Sequence, residues 1–270
     1  MYDLRKTTIL IILILAPAFI VACGKKNTPV VDAQVPPVRI AVDSSFMPTA
    51  QLLASDFTAN TAIAVEFVSG TNQELVDMII EGGDYDVFMA SDTEHPKELI
   101  DSGKALSEGS AVYAFGTVAL YTKSWKVNWT GVKYLKSEQL TKLAIANPEE
   151  NRYGKAAIET MEILEVYPGI SSKLVYTEDQ SEALGFVEAK KADAGFIDYA
   201  ELSDEDKRWA WVVPAALHEP IEQGAVLLGK DQIKEPSQMW MGYLSSDSAK
   251  SIIRQSGYRV IDTNPLSSRD

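Results

Sequence analysis

Short apolar strands alternate with amphipathic helices along most of the chain, and this alternation limits the possible folds more than any other feature. Val38–Val42 predicts a strand, Pro48–Asn60 a helix and Ala64–Val68 a second strand. The next helix has four apolar residues at the spacing of a buried helical face: Leu75, Val76, Ile79 and Ile80. Such a rhythm is typical of a mainly parallel sheet that helices cover on both faces.

The rhythm restarts after a long β-rich run, Val112–Thr122, which has Gly116 in its middle. The chain then returns to the first series of strands near Ile221. We therefore expect a two-lobed α/β protein with a hinge between the lobes. Residues 38–115 plus 222–270 form the first lobe in this prediction, and residues 116–221 form the second. In such sheets, ligands lie beyond the carboxyl ends of the strands, beside helix N-termini.

The first residues are typical of a secretory signal peptide. Arg5 and Lys6 precede an apolar run, Ile9–Ala22, which is shorter than the about 20 apolar residues that a membrane-spanning helix needs. Cys23 follows directly and is the only cysteine. A small residue, Ala22, stands directly before this cysteine, so the segment resembles a bacterial lipobox. At a lipobox the signal peptide is cut off before the cysteine, and the cysteine thiol receives a lipid. The alternative is an uncleaved anchor with an incidental cysteine.

Residues 1–22 are thus predicted as a lipoprotein signal peptide, and residues 23–37 as a lipidated tether rich in proline. The mature protein is expected outside the cytoplasm, attached to a bacterial membrane through the lipid on Cys23, in the periplasm or at the cell surface. The net charge is −13. No cluster of Lys and Arg is present to bind phosphates, so a nucleic-acid partner is not expected.

Four polar turns stand at predicted strand-to-helix junctions. They are Asp43-Ser44-Ser45, Gly70-Thr71-Asn72, Arg152-Tyr153-Gly154 and Glu178-Asp179-Gln180-Ser181. A helix N-terminus holds anions because it presents unpaired N–H groups and a partial positive charge. Two turns from each lobe, closing on one ligand, predict a site for a small oxyanion. Each turn taken alone is better explained as an ordinary helix cap, and Thr71 with Glu74 matches a capping box.

Motifs for covalent chemistry are absent from the sequence. It contains no G-x-S-x-G nucleophile elbow, no G-x-G-x-x-G loop and no P-loop. The two histidines, His95 and His218, stand far apart, and a single cysteine excludes a disulfide or a thiolate metal cluster within the chain. We therefore expect a binding protein and not an enzyme, with no cofactor and no directly bound metal cation.

Several stretches, taken in order, resemble the molybdate-binding proteins of ABC transporters (the ModA type). They run from about Val38 to Val260 and read "IAVDSSFMPTAQLLASDF", "DVFMASDTEHPKELIDSGKA", "LAIANPEENRYGKAAIETM", "AGFIDYAEL", "WVVPAALHEPIEQGAVLL" and "YLSSDSAKSIIRQSGY". The resemblance implies the type II periplasmic-binding-protein fold, with two mixed sheets flanked by helices and lobes that close over the ligand. It also implies capture of molybdate or tungstate and delivery to the permease subunits of an ABC importer.

The resemblance also implies which groups contact the oxyanion: hydroxyl, amide and backbone N–H groups at the four turns. These residues are Ser44, Ser45, Thr71, Asn72, Tyr153 and Gln180. Tyr153 matches a tyrosine found in one branch of the family, and only the backbone N–H of Gln180 is implied. Asn72 stands where serine or threonine is usual.

Carboxylates stand at places where the resemblance implies other groups. Asp43 replaces a small residue beside the first turn. Asp198 stands where another branch of the family has a tyrosine that contacts the ligand. Asp43, Asp198 and Tyr199 are predicted to lie at the rim of the pocket. A carboxylate beside a dianion repels it unless it points away or is protonated. One alternative is therefore a different ligand: a phosphonate, a sulfonate or an organic cation drawn by these aspartates. The other is a lipoprotein acting as a sensor or partner-binding module. A monomer is expected.

Overall fold

A computed structural model describes residues 35–123, 131–229 and 233–261. The predicted signal peptide 1–22, Cys23, the tether up to residue 34 and the C-terminal residues 262–270 lie outside the described residues. None of the helices in the three described ranges has the length and apolar character needed to cross a membrane.

Ten strands in the described ranges form two five-stranded sheets. They are β1 (Val38–Asp43), β2 (Val65–Gly70), β3 (Val87–Met89), β4 (Ala105–Phe115), β5 (Val118–Tyr121), β6 (Leu143–Ala146), β7 (Leu174–Thr177), β8 (Ala194–Asp198), β9 (Ala210–Val212) and β10 (Glu222–Leu228). The first sheet has the order β2-β1-β3-β10-β4 and the second has the order β7-β6-β8-β5-β9.

The two sheets share one pairing pattern. In the first sheet, β1 is parallel to β2 and β3, whereas β10 runs antiparallel to β3 and β4. In the second sheet, β6 is parallel to β7 and β8, whereas β5 runs antiparallel to β8 and β9. The prediction of a two-lobed α/β protein with two mixed sheets is therefore confirmed.

Helices lie between the strands along the described ranges. They are α1 (Met47–Thr61), α2 (Asn72–Ile80), α3 (Glu94–Asp101), α4 (Gly131–Leu135), α5 (Arg152–Ile163), α6 (Tyr167–Ile170), α7 (Gln180–Glu188), α8 (Glu235–Leu244) and α9 (Asp247–Gln255). Helix α1 begins and ends within one residue of the predicted helix 48–60, whereas α4 and α6 were not predicted. The last two helices, α8 and α9, follow β10, and Ser246 is the N-cap of α9.

Successive residues of a strand point to opposite faces of a sheet, so a buried strand needs cover on both faces. Helices with apolar side chains provide this cover on both faces of each sheet. On the first sheet, α1 and α8 meet at Phe57 and Trp240, whose ring centroids are 5.2 Å apart, while α2 buries Leu75 on the other face. On the second sheet, α5 buries Met161 on one face and α7 buries Val187 on the other. These two cores hold the strand ends of each lobe in fixed positions.

The chain crosses between the sheets beside Gly116. The β-rich run 112–122 is two strands in different sheets, because β4 ends at Phe115 and β5 begins at Val118. The Gly116 N–H donates to the carbonyl of Ile221 over 2.8 Å, which joins the outgoing and returning segments. Phe115 also exchanges backbone hydrogen bonds of 2.8 and 2.9 Å with Arg259. Three segments of chain therefore meet at the junction of the lobes.

Candidate functional site

The carboxyl ends of three parallel strands meet at one edge of the first sheet. β1 ends at Asp43, before Ser44 and Ser45, and β2 ends immediately before the cap of α2. The third strand, β3, leads to Ser91 and Asp92, which the prediction from sequence did not include. The first lobe therefore contributes three polar turns to this edge instead of the two expected.

In the first turn, Asp43 is buried and binds Ser45. One carboxylate oxygen of Asp43 accepts hydrogen bonds from the Ser45 hydroxyl over 2.6 Å and from the Ser45 backbone N–H over 3.1 Å. Burial raises the pKa of Asp43, and the two hydrogen bonds from Ser45 offset part of that effect. Ser44 is exposed. The Ser45 hydroxyl thus has a protein acceptor already.

In the second turn, Asn72 is buried and binds the turn after β3. Its amide nitrogen donates to Ser91 Oγ and to Asp92 Oδ2, both over 2.9 Å, and its amide oxygen accepts from the Ser91 N–H over 3.3 Å. Thr71 is exposed and forms the predicted capping box with Glu74. Both N–H groups of the Asn72 amide are therefore used within the protein.

Asp92 forms an ion pair with His95. The carboxylate accepts from the His95 backbone N–H over 3.0 Å and lies 2.6 Å from the His95 Nδ1. Burial alone would raise the pKa of Asp92, but the hydrogen bonds from His95 hold it below its usual value. The hydrogen bond to Asp92 in turn raises the pKa of His95. His95 is thus a partner of the site, although its distance in sequence from His218 gave no sign of a functional role.

In the second lobe, Tyr153 at the start of α5 binds Asp198 at the end of β8. The Tyr153 hydroxyl donates to Asp198 Oδ2 over 2.6 Å, and the Ala200 N–H donates to Asp198 Oδ1 over 2.9 Å. Asp198 is 0% exposed. Burial raises the pKa of Asp198 to about 7, and the negative charges of Glu201 and Asp43 add to the effect. Asp198 therefore titrates close to neutral pH.

At the start of α7, Gln180 binds Glu201. The Gln180 amide nitrogen donates to Glu201 over 3.3 Å, and its amide oxygen accepts from Asn151 over 3.1 Å. The Ser181 hydroxyl donates to the same Glu201 oxygen over 2.8 Å. Burial raises the pKa of Glu201. Neither Glu201 nor Asn151 was predicted as a site residue, although Asn151 is the N-cap of α5.

Tyr199 lies half-buried beside this carboxylate cluster. Its backbone N–H donates to the carbonyl of Thr117 over 2.8 Å, and the ammonium of Lys207 lies 5.6 Å from its ring centroid. These contacts hold the chain after β8 against the start of β5. They give the Tyr199 ring a packing role that the sequence did not indicate.

The polar turns of the two lobes face one cleft. The charge of Asp43 in the first lobe raises the pKa of both Asp198 and Glu201 in the second. The Tyr258 hydroxyl donates to the carbonyl of Ser45 over 3.3 Å. Across the cleft, Arg152 at the start of α5 forms an ion pair with Glu94 at the start of α3.

In the described ranges, no group of three or more His, Cys, Asp or Glu side chains is placed to hold a metal ion. The arrangement is a polar cleft between two lobes, bounded by the N-termini of α1, α2, α3, α5 and α7. Within it, the Ser45 hydroxyl donates to Asp43, and the His95 ring binds Asp92 and not a serine hydroxyl.

Comparisons with known proteins agree with this architecture. A profile of the family described as bacterial extracellular solute-binding protein matches residues 38–259. The chain belongs to this family. Solute-binding proteins bind their ligands and do not convert them, so the expectation of a binding protein and not an enzyme is confirmed.

Two relatives of this solute-binding protein are named molybdate-binding protein ModA. The one from Rhodobacter capsulatus is 32% identical over 222 residues, which cover 82% of this chain and 87% of the relative. The one from Azotobacter vinelandii is 30% identical over 230 residues, which cover 84% and 91%. The solved structure of the periplasmic molybdate-binding protein of Azotobacter vinelandii superposes with a TM-score of 0.70 at 26% identity, covering 83% of this chain and 100% of that one. The resemblance to molybdate-binding proteins is thus confirmed.

Proposed function

We propose that this solute-binding protein captures a small ligand in the cleft between its lobes and delivers it to the permease of an ABC importer. The observation that carries the proposal is the convergence of polar turns from both lobes at the carboxyl ends of parallel strands. Family membership supports the same role. In this proposal the lobes close about the junction at Gly116 and Ile221, and the protein acts as a monomer.

The names of the relatives make molybdate the first ligand to test. Tungstate, which the sequence resemblance also implies, is the second. Differential scanning fluorimetry of the full-length protein in detergent gives the most direct measurement. A ligand that binds the folded state stabilises it by about 2.7 kcal/mol at a hundredfold excess over its Kd. A rise in Tm with either oxyanion supports both the role and the ligand, whereas an unchanged Tm with both contradicts this choice of ligand.

We further propose that residues 1–22 are removed and that Cys23 carries a lipid, so that residues 23–37 tether the lobes to a membrane outside the cytoplasm. The support is the sequence pattern around Cys23, which lies outside the described residues. Labelling of cells with a radioactive fatty acid tests the proposal. The protein is expected to incorporate label, and a Cys23→Ser variant is not; label retained by that variant would contradict lipidation at Cys23.

A further inference from the structure

Gln223 in β10 is a buried side chain whose amide group has no hydrogen-bond partner within the described ranges. It is 0% exposed, and neither its amide nitrogen nor its amide oxygen is paired with any described residue. An unpartnered buried amide costs free energy, so groups of this kind are rare in folded proteins. A partner that binds from outside the chain is one of the few explanations that fit such a residue.

Strand β10 places Gln223 at the carboxyl ends of the parallel strands of the first sheet. Ala225 pairs with Met89 in β3, and the two strands run antiparallel, so Gln223 lies level with the turn that follows β3. The next residue, Gly224, donates its backbone N–H to the carbonyl of Asp92 in that turn over 2.9 Å. Gln223 is therefore at the edge of the sheet where the polar turns of the first lobe meet.

The Gln223 side chain points to the face of the hinge ribbon, the paired segments 114–116 and 221–223, that the second lobe covers with Tyr153. Residues two apart on a strand point to the same face, so Gln223 shares its face with Ile221. Gly116 lies opposite Ile221, and a Cβ on Gly116 would meet both the Ile221 side chain and the Tyr153 hydroxyl. Ile221 belongs to the core of the second lobe and Ala225 to that of the first. Gln223 thus lies between the two cores, at the base of the cleft.

Four other side-chain donors of the cleft already have a carboxylate acceptor in the protein. The pairs are Ser45 with Asp43, Asn72 with Asp92, Tyr153 with Asp198, and Gln180 with Glu201. A ligand oxygen gains a hydrogen bond from any of these donors only by displacing its carboxylate. The Gln223 amide nitrogen carries two N–H groups and gives up no described bond when it donates. The His95 ring, whose pKa the hydrogen bond to Asp92 raises, offsets part of the negative charge at this edge.

We propose that the Gln223 amide donates a hydrogen bond to an oxygen of the captured oxyanion at the base of the cleft. The inference rests on the proposed function and adds a binding residue that the sequence resemblance does not include. Hydrogen bonds from a neutral N–H to a charged oxygen are stronger than those between neutral groups. The oxyanion provides the partner that the buried amide lacks, so closure of the lobes over the ligand costs less free energy than closure over an empty cleft.

Isothermal titration calorimetry of the full-length protein in detergent, with molybdate and tungstate as probes, tests the inference. Gln223→Met keeps the length of the side chain and removes the amide. We expect it to weaken binding of the probe by about 10- to 150-fold, because a hydrogen bond to a charged group is lost. The Tm of this variant without ligand should be unchanged or higher, since an apolar group replaces an unpartnered amide. Gln223→Leu is a second variant without the amide, and the same response is expected.

Thr117, directly after the hinge ribbon, provides the matched control. It is also buried, and its hydroxyl has no hydrogen-bond partner among the described residues. Its neighbours Gly116 and Val118 both face Tyr153, so the Thr117 side chain points to the opposite face from Gln223. Thr117→Val removes the hydroxyl at nearly constant shape and should leave the affinity for both probes unchanged.

Failure of the inference and failure of the proposed function give different results. If the Gln223 variants bind molybdate or tungstate as tightly as the wild type does, the inference is overturned and the proposed function remains supported. A lower Tm of both Gln223 variants without ligand, or an equal loss of affinity in Thr117→Val, also overturns it, because Gln223 would then act through packing. If the wild type binds neither probe, the proposed oxyanion ligand is contradicted and the inference with it.

Discussion

Asp198 differs most from a solvent-exposed aspartate among the residues of the cleft. It is fully buried, and its only described partners are the Tyr153 hydroxyl and the Ala200 N–H. These two hydrogen bonds favour the ionised form, but desolvation and the charges of Glu201 and Asp43 outweigh them, so the pKa rises to about 7. A buried carboxyl group that retains its proton into the neutral range makes stability depend on pH.

The Asp198→Asn variant tests this dependence. Because the folded state binds the proton more tightly, the unfolding free energy of the wild type contains a contribution that is present below pH about 4 and is lost as pH rises to about 7. Asparagine does not titrate, so the stability difference between wild type and variant should shrink or change sign across this window. Urea denaturation at a series of pH values measures it, with Glu162→Gln, at an exposed carboxylate on α5, as the control. A difference that stays constant with pH would contradict a buried, protonatable Asp198.

At the scale of elements, the positions of strands and helices follow from local sequence patterns. The hydrogen-bonded pairs of side chains in the candidate site do not. The capping box of Thr71 with Glu74 is observed as predicted. The predicted apolar stripe of α2 is buried at Leu75, Val76 and Ile79, whereas Ile80 is exposed because it lies in the last turn of the helix. The pairing of Tyr153 with Asp198 spans 45 residues and depends on the strand order of the second sheet. The Ser91–Asp92 turn follows a strand of three residues, too short to give a strong periodic signal. Residue types at the turns were therefore predictable, but their hydrogen-bond partners were not.

Two glycines on helices predict opposite effects of the same substitution. A Cβ on Gly154 in α5 would lie 2.2 Å from the backbone carbonyl oxygen of Ala146, which cannot move independently of β6, whereas a Cβ on Gly185 in α7 would meet nothing within 4 Å. Gly154→Ala should lower the unfolding free energy by about 1–3 kcal/mol through overpacking. Gly185→Ala should raise it by about 0.4–1 kcal/mol through lower entropy of the unfolded chain. Denaturant unfolding measures both, and effects of the same sign would contradict the close approach of α5 to β6.

For the whole molecule, charges on the two lobes favour or oppose the closing motion proposed above. Asp43 on one lobe repels Asp198 and Glu201 on the other, which opposes closure. The ion pair of Arg152 with Glu94 opposes this repulsion from the entrance of the cleft, where both side chains are partly exposed. The two effects act on the same motion, so the entrance pair should shift the ratio of open to closed protein without contacting the ligand.

Reversal of the entrance charge is therefore expected to open the ligand-free protein. Arg152→Glu replaces an attraction worth about 0.2–1 kcal/mol with a repulsion of similar size, a total change of about 0.4–2 kcal/mol, which should raise the ratio of open to closed forms by about 2- to 30-fold. Small-angle X-ray scattering should show a larger radius of gyration for this variant at low salt, and a smaller difference at high salt because exposed charges are screened. The swapped variant Arg152→Glu with Glu94→Arg restores opposite charges and should return the radius of gyration to the wild-type value. If the swap stays as open as the single reversal, Arg152 acts through contacts within its own lobe and not through Glu94.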